Sequence, residues 1–319
     1  MLDSVIAPLR RTRTVPAVEA ADIAVLIPCY NEEAAVGRVV SGFRAALPEA
    51  RIYVYDNNSS DRTAAVGREA GAIVRRERLQ GKGNVVTRMF ADVDADVYVL
   101  VDGDGTYAPE VAPDLVLHLL ENHLDFVNGL RSGGHERRGH RFGNRLFNRI
   151  VGRLFGNGFD DMLSGYKVFS RRFVKSFPAL ATGFEIETEL TVHALRLRMP
   201  VAELPTPYAS RPAAESKLRT VRDGFKISRA IVQLVKGERP LAFFGFGALA
   251  LMAVSLGLAA PIALTYVETG LVPRLPTAML AMGTMLLAFL SLASGFVLDT
   301  VTRGRTELRR LFYLGLPPP

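Results

Sequence analysis

The chain has no tryptophan and a single cysteine, Cys29, among its 319 residues. One thiol cannot close an intramolecular disulfide, which suits a reducing compartment. No His/Cys/Asp cluster has the spacing of a zinc site. No G-x-G-x-x-G follows the first predicted strand, so a dinucleotide-binding fold lacks its fingerprint. Residues 1–21 hold no long apolar run, and Arg10, Arg11 and Arg13 do not precede one. That stretch reads as a mobile basic arm and not as a signal peptide. Negative charge is in deficit: the formal net charge is +7 and the pI is about 9.7. Such a balance fits nucleic acid, anionic lipid or phosphate-rich substrates. Mean hydropathy is +0.17, high for a soluble chain with 22% charged residues, and the apolar excess lies beyond Pro240.

The stretch that organises the rest is Tyr98-Val-Leu-Val-Asp102-Gly-Asp104-Gly-Thr106. Four β-favouring residues run into two carboxylates one residue apart. The apolar run reads as a buried parallel strand, whose C-terminal end is where open α/β sheets place ligands. Carboxylates at i and i+2 on extended backbone point the same way. Hard oxygens in that arrangement suit Mg²⁺ or Mn²⁺ shared with substrate phosphates. The plainer reading is an acidic turn after a strand.

From Asp22 onward, strand and helix patterns alternate. Ile23 to Pro28, Arg51 to Asp56, Ala72 to Val74, Tyr98 to Val101 and Phe126 to Leu130 read as strands. Glu33 to Ala46 has helical spacing, with Val36, Val39, Val40 and Phe43 on one face. Asn57 to Asp61 is rich in helix-capping residues before a helix reaching Ala70, and Gly81-Lys-Gly83 opens another to Ala91. This rhythm predicts a parallel sheet with helices on both faces. Polar groups then close three strands: Tyr30-Asn-Glu32, Asp56, and Asp102 with Asp104. Neighbouring strand ends share one crevice, so an aromatic, a carboxylate and a carboxylate pair make a nucleoside-diphosphate site conceivable. Asp56 and Asn57 could equally be turn formers.

Four segments in order, Pro28-Cys-Tyr-Asn-Glu-Glu33, Asp56-Asn-Asn-Ser-Ser-Asp61, Gly81-Lys-Gly83 and Asp102-Gly-Asp104, resemble the family-2 glycosyltransferases of the GT-A fold, from Asp22 to about Pro205. The resemblance implies an α/β, Rossmann-like nucleotide-diphospho-sugar transferase domain and a nucleotide-sugar donor, UDP- or GDP-linked. It places Pro28, Tyr30, Glu32, Asp56, Lys82 and Asp102 at the donor, and Asp102 and Asp104 at Mg²⁺ or Mn²⁺. Further on, Asn128-Gly-Leu-Arg131, Asp161-Met-Leu-Ser-Gly-Tyr-Lys167 and Arg211-Pro-Ala-Ala-Glu-Ser-Lys217-Leu look like three segments of the polyprenyl-phosphate glycosyltransferases. Dolichyl-phosphate mannose synthase and bacterial undecaprenyl-phosphate sugar transferases belong to that group. Leu130 stands where serine is usual and Ala214 where glycine is common, which leaves the exact subfamily open. The resemblance implies that Arg131, Arg211, Ser216 and Lys217 hold an acceptor phosphate and that Asp104, Asp161 and Arg131 act at the reacting centre. Arginine pairs bidentately with phosphate, and lysine supplies a point charge.

Arg141, Arg145, Arg149 and Arg153 recur every fourth position, with Phe142, Leu146, Ile150 and Leu154 one step behind. On a helix this is a basic stripe beside an apolar one, read as a solvated face or as a contact with anionic lipid. His135 and His140 lie in a Gly-rich stretch with the character of a lid. Gly183 to Glu189 opens a helix, and Glu185 or Glu187 faces the site.

Leu241 to Val267 and Leu275 to Leu298 carry no charge, and each exceeds the ~20 residues that cross a bilayer. Lys and Arg crowd the stretch from Lys217 to Arg239 and return at Arg303, Arg305, Arg309 and Arg310, while the turn between the runs has only Arg274. Positive-inside reasoning puts both flanks in the cytoplasm. Helical spacing among the basic residues before Leu241 suggests interfacial helices on anionic lipid. The expected order is an arm at 1–21, a GT-A domain at 22–215, amphipathic helices at 216–240, a two-span hairpin at 241–302 and a cytoplasmic tail at 303–319. The expected activity is inverting transfer of a sugar from a nucleotide-sugar to a polyprenyl phosphate at the cytoplasmic face of a bacterial inner membrane, with no nucleic-acid partner and homo-oligomerisation left open. Alternatives are another lipid or glycan acceptor, and a non-catalytic membrane scaffold. A processive polysaccharide synthase needs a Q-x-x-R-W motif, which a chain without tryptophan cannot carry.

Overall fold

Strand β1 (Ile23–Cys29) is apolar along nearly its whole length because neighbours cover both of its faces. It sits inside a sheet with β2 (Arg51–Asp56), β3 (Ile73–Arg76), β4 (Val97–Val101), β5 (Phe126–Ser132), β6 (Tyr166–Ser170) and β7 (Val201–Pro207). The order is β3-β2-β1-β4-β6-β5-β7. The computed structural model describes residues 18, 20–132, 152, 159–178, 186–209, 232, 235–237 and 239–319. The arm up to residue 17, His135, His140, the arginine stripe, Glu185, Arg211, Ser216, Lys217 and most of the predicted amphipathic stretch lie outside the described residues.

Helices α1 (Glu33–Ala46) and α4 (Ala112–Glu121) cover one face. Val36, Val40, Phe43, Leu115 and Val116 meet Val25, Ile27, Val99 and Val168 there. Helices α2 (Thr63–Glu69) and α3 (Lys82–Asp92) complete the first half of the unit. On the other face, Phe90 of α3, Phe173 of α5 (Arg171–Ser176) and His193 of α6 (Ile186–Leu197) join an aromatic cluster with Tyr98, Phe169 and Phe177. Phe169 and Phe173 stack at 4.4 Å between centroids. Each such fully buried side chain stabilises the fold by about 1.5–3 kcal/mol.

The alternating pattern predicts a parallel sheet; the sheet is mixed. β6 runs antiparallel to both β4 and β5. The reason lies in where the chain re-enters. The turn before β6 lies at the C-terminal end of β4, since Tyr166 pairs with Val101 and Ser170 with Val97. A strand entering from that edge can only run away from it. Strand β7 is again parallel, to β5.

The residues fall into two compact units, one holding the sheet and also Arg310–Pro319, the other being Leu218–Arg309. In the second, helix α7 (Pro240–Thr269) ends on Gly270, whose φ of +69° is the left-handed conformation that glycine adopts freely. Helix α8 (Leu275–Leu314) follows. Small residues let the two approach: Ala248, Ala281 and Ala288 are buried, and a Cβ on Gly295 would press on Phe244. Ser255 Oγ donates to Ala281 O at 2.7 Å and Ser291 Oγ to Phe244 O at 2.9 Å. Phe246, Val267 and Leu290 point outward at 77%, 83% and 63% exposure. Both helices are long and apolar enough to cross a membrane. The second runs past the predicted end of its apolar stretch without a break, to Leu314.

Candidate active site

The C-terminal ends of β1, β2 and β4 converge. Burial pushes the Cys29 thiol well up, and the charges of Glu32, Asp56, Asp102 and Asp104 push it further. Four carboxylates therefore surround one point at the end of β1. Gly103 lies against Cys29 so closely that a Cβ there would fall on the Sγ. This contact fixes the Asp102-Gly-Asp104 loop to the first strand, and only glycine permits it.

Each loop has its own fastening. Asn31, at φ +56°, accepts Ser60 N on its Oδ1 at 2.8 Å and donates its backbone N–H to Ser59 Oγ at 2.9 Å. Asp56 is 6% exposed and accepts Ser59 N at 3.2 Å. Next to them Tyr30 is half exposed, an aromatic face open to a planar ligand. Asn57 donates to Glu77 O and Leu79 O and accepts Gly81 N at 2.7 Å. It holds the loop that delivers Lys82 at the start of α3.

Lys82 Nζ lies 2.5 Å from both Asp102 Oδ1 and Glu187 Oε1. Burial pulls the ammonium's pKa down, but the Asp102 and Glu187 charges outweigh it and the pKa ends raised. Glu187, on α6, is 7% exposed, and its Oε2 has no hydrogen-bond partner among the described residues. Sequence spacing left Glu185 and Glu187 as equals; Glu187 is joined to Asp102 through Lys82. Asp104 Oδ1 accepts Thr106 N at 3.0 Å and Thr106 Oγ1 at 2.6 Å, so Thr106 orients that carboxylate.

The other side of the site is built by the antiparallel strand. A Cβ on Gly165 would fall on the Asp102 carboxylate, and Gly165 N donates to Tyr107 Oη at 2.7 Å. Beyond that turn, Asp161 takes Arg131 bidentately, Nε at 2.6 Å and Nη2 at 2.8 Å. The Arg131 guanidinium also stands 5.5 Å from the Tyr208 ring. Ala209 N donates to Thr106 O at 2.9 Å, so the chain leaving β7 ties the Arg131 side to the loop of Asp104. The structure thus brings Pro28, Tyr30, Glu32, Asp56, Lys82, Asp102, Asp104, Arg131 and Asp161 to one edge of the sheet.

Asp102 and Asp104 offer hard oxygens, and no group of three or more His, Cys, Asp or Glu side chains is placed to hold a metal ion among the described residues. That donor set fits a cation which completes its shell with water and substrate phosphates, as Mg²⁺ does.

The profile of glycosyl transferase family 2 matches residues 24–177. Protein RfbJ of Shigella flexneri is 52% identical over 124 residues, spanning 38% of this chain and 96% of the relative. The dolichyl-phosphate hexose transferase of Haloferax volcanii is 32% identical over 222 residues, 68% of this chain and 96% of the relative. Among solved structures, glucosyl-3-phosphoglycerate synthase of Mycobacterium tuberculosis superposes with a TM-score of 0.57 at 23% identity, covering 69% of this chain and 81% of the other, which establishes the GT-A fold.

Proposed function

The chain belongs to glycosyl transferase family 2, and from that premise we propose that it transfers a sugar, with inversion, from a nucleotide-sugar to a polyprenyl phosphate at the cytoplasmic face of a bacterial inner membrane. The observation that carries the lipid acceptor is the pair of membrane-length helices in the same chain as the strand-end carboxylates. A relative named for dolichyl phosphate supports the same choice. Tyr313 supports the hairpin: its hydroxyl donates to Asp125 Oδ2 at 2.6 Å, within the unit that holds both the sheet and Arg310–Pro319. That supports an even number of crossings in this reading.

In this reading Tyr30 stacks on the base and Asp56 accepts from base or ribose, with Pro28 and Glu32 beside them. Asp102 and Asp104 hold Mg²⁺ or Mn²⁺, which when bound supplies positive charge to the leaving diphosphate. Lys82 adds a second positive charge there. Arg131, Arg211, Ser216 and Lys217 hold the acceptor phosphate, and Asp161 sets the Arg131 guanidinium. A phosphate oxygen forms the new bond to the anomeric carbon as the bond to the diphosphate breaks. A lipid phosphate is already ionised near neutral pH, so catalysis rests on positioning and charge rather than on a general base.

The test is a donor panel with detergent-solubilised protein and undecaprenyl phosphate, with and without Mg²⁺, read by lipid extraction. A lipid-linked sugar that depends on Mg²⁺ is expected. Donor turnover with only soluble acceptors, or no turnover with any donor, would overturn the reading.

A further inference from the structure

Resting on the reading of Arg131 as an acceptor-phosphate group, we propose that a row across three strands, the buried Lys167 and Asn128 and the half-buried Glu203, is the positioning device that sets Arg131 through the turn carrying Asp161. The three residues are in register: Asn128 pairs with Lys167 on β6 and with Glu203 on β7. Lys167 and Asn128 are completely buried. Lys167 Nζ donates to Asn128 Oδ1 at 2.8 Å and to Met162 O at 3.2 Å. Asn128 Nδ2 donates to Glu203 Oε1 and to Asp161 O, both at 2.7 Å. Glu203 accepts Asp160 N at 2.5 Å and Asp161 N at 3.2 Å.

The row therefore holds the turn at two N–H groups and two carbonyls, over three consecutive residues. Asp161 in turn holds the Arg131 guanidinium by two hydrogen bonds and accepts a third from the Arg131 backbone N–H at 3.4 Å. A cation and an amide stand where neighbouring positions of the same strands carry Phe126, Val127, Val168 and Phe169, with a half-buried carboxylate beside them on β7. Buried ionic groups are weak contributors to stability compared with well-packed apolar ones. Burial lowers the pKa of Lys167 to about 8, which reflects the cost of keeping it there. The hydrogen bonds that the row directs outside itself end on the turn, so its output is the geometry of Asp161 and hence of Arg131. An error of about 1 Å in a group that orients a nucleophile can cost about a hundredfold in rate.

The test uses the full chain in detergent micelles with Glu203→Gln, which keeps size and removes the charge that accepts from the turn. Amide hydrogen exchange at Asp160 and Asp161 should speed up about tenfold, the loss of roughly one hydrogen bond. KM for undecaprenyl phosphate should rise and kcat should fall, each by about tenfold, while KM for the nucleotide-sugar stays put. Glu203→Asp should recover part of both effects, and it substitutes for the first variant should that one not fold. Arg131→Ala tests the underlying reading separately: it should raise acceptor KM without changing exchange at Asp160. Wild-type acceptor kinetics in the Glu203 variants beside impaired Arg131→Ala would overturn the proposal, as would unchanged amide exchange. Wild-type acceptor KM in Arg131→Ala would overturn the acceptor reading itself.

Discussion

Replacing Lys82 with methionine separates what the lysine does for folding from what it does for the reaction. Its ammonium touches Asp102 and Glu187 at 2.5 Å each, with side-chain exposures of 11% for the lysine, 31% for Asp102 and 9% for Glu187. Removing one partner of a buried ion pair costs about 3–5 kcal/mol, because the charge left behind has no counterpart. Solvent screening at Asp102 argues for the lower end, so about 3 kcal/mol is expected for Lys82→Met. At about 2–4 °C per kcal/mol for a unit of this size, the thermal midpoint should fall by about 6–12 °C. Most of that penalty is the stranded Glu187 carboxylate, whose Oε2 already has no hydrogen-bond partner among the described residues. Glu187→Gln should therefore relieve it. The double variant should be more stable than the sum of the single effects predicts by at least about 1 kcal/mol, above the ~0.5 kcal/mol scatter of independent sites. Transfer should not recover with it, because the diphosphate still lacks its cation, and a lost charge-assisted hydrogen bond of about 2–3 kcal/mol predicts roughly a hundredfold loss in donor kcat/KM. Thermal unfolding in detergent and donor kinetics read the two quantities. Additive stabilities, or a double variant with restored turnover, would refute the reasoning.

Asp104→Asn should keep the fold and lose metal-dependent transfer; near-normal turnover at saturating Mg²⁺ and Mn²⁺ would remove Asp104 from the metal. Arg211→Ala and Lys217→Ala should raise KM for lipid phosphate in micelles and leave donor KM unchanged, whereas generic attraction to anionic lipid predicts wild-type kinetics there. On a Cys29→Ser background, Thr269→Cys should be labelled from outside intact cells, and Val5→Cys and Gly315→Cys should be protected; the opposite pattern excludes the hairpin. Lys167 gives a pH signature. Its pKa falls from 10.5 to about 8 on folding, so between those values the unfolded chain binds more protons and stability rises with pH, by on the order of 3 kcal/mol. Lys167→Met lacks that gain, so its midpoint relative to the parent should worsen from pH 8 to pH 10; a constant gap would contradict the shift. Glu187, Asp161, Lys82 and Glu203, the charges that face Lys167, are the same in both proteins.

Much of the first half was legible because its signals are local. A strand that is apolar throughout, like Val97–Val101, announces burial on both faces, and Val36, Val39, Val40 and Phe43 announce the inner face of α1. Strand β6 was not legible as antiparallel. Tyr166-Lys-Val-Phe-Ser170 has strand character, but direction depends on which edge the chain enters from, and nothing within five residues encodes that. The unbroken course of α8 past Asp299 has a similar cause. Hydropathy ends the apolar run at Leu298, whereas helix propensity continues, with Arg303 bonded to Asp299 one turn back at 2.8 Å.

The site divides along the same line. Carboxylates at strand ends can be found from sequence, because the sheet's topology guarantees that such ends meet. What positions them cannot, because the partners lie far apart along the chain. Lys82 and Glu187 are separated by 105 positions, and Asn128 and Glu203 by 75. Lys167 shows the difference most plainly. In sequence it closes the Asp161–Lys167 segment that carries part of the family resemblance, but nothing there says it is buried, and the ordinary expectation for lysine is a solvated head. Its burial follows only from the antiparallel placement of β6 between β4 and β5, which puts it opposite both Leu100 and Asn128. A topological feature that the alternating pattern missed is thus the feature that aims the row at Asp161. The part of the site that grips Arg131 could be read only once the direction of that strand was known.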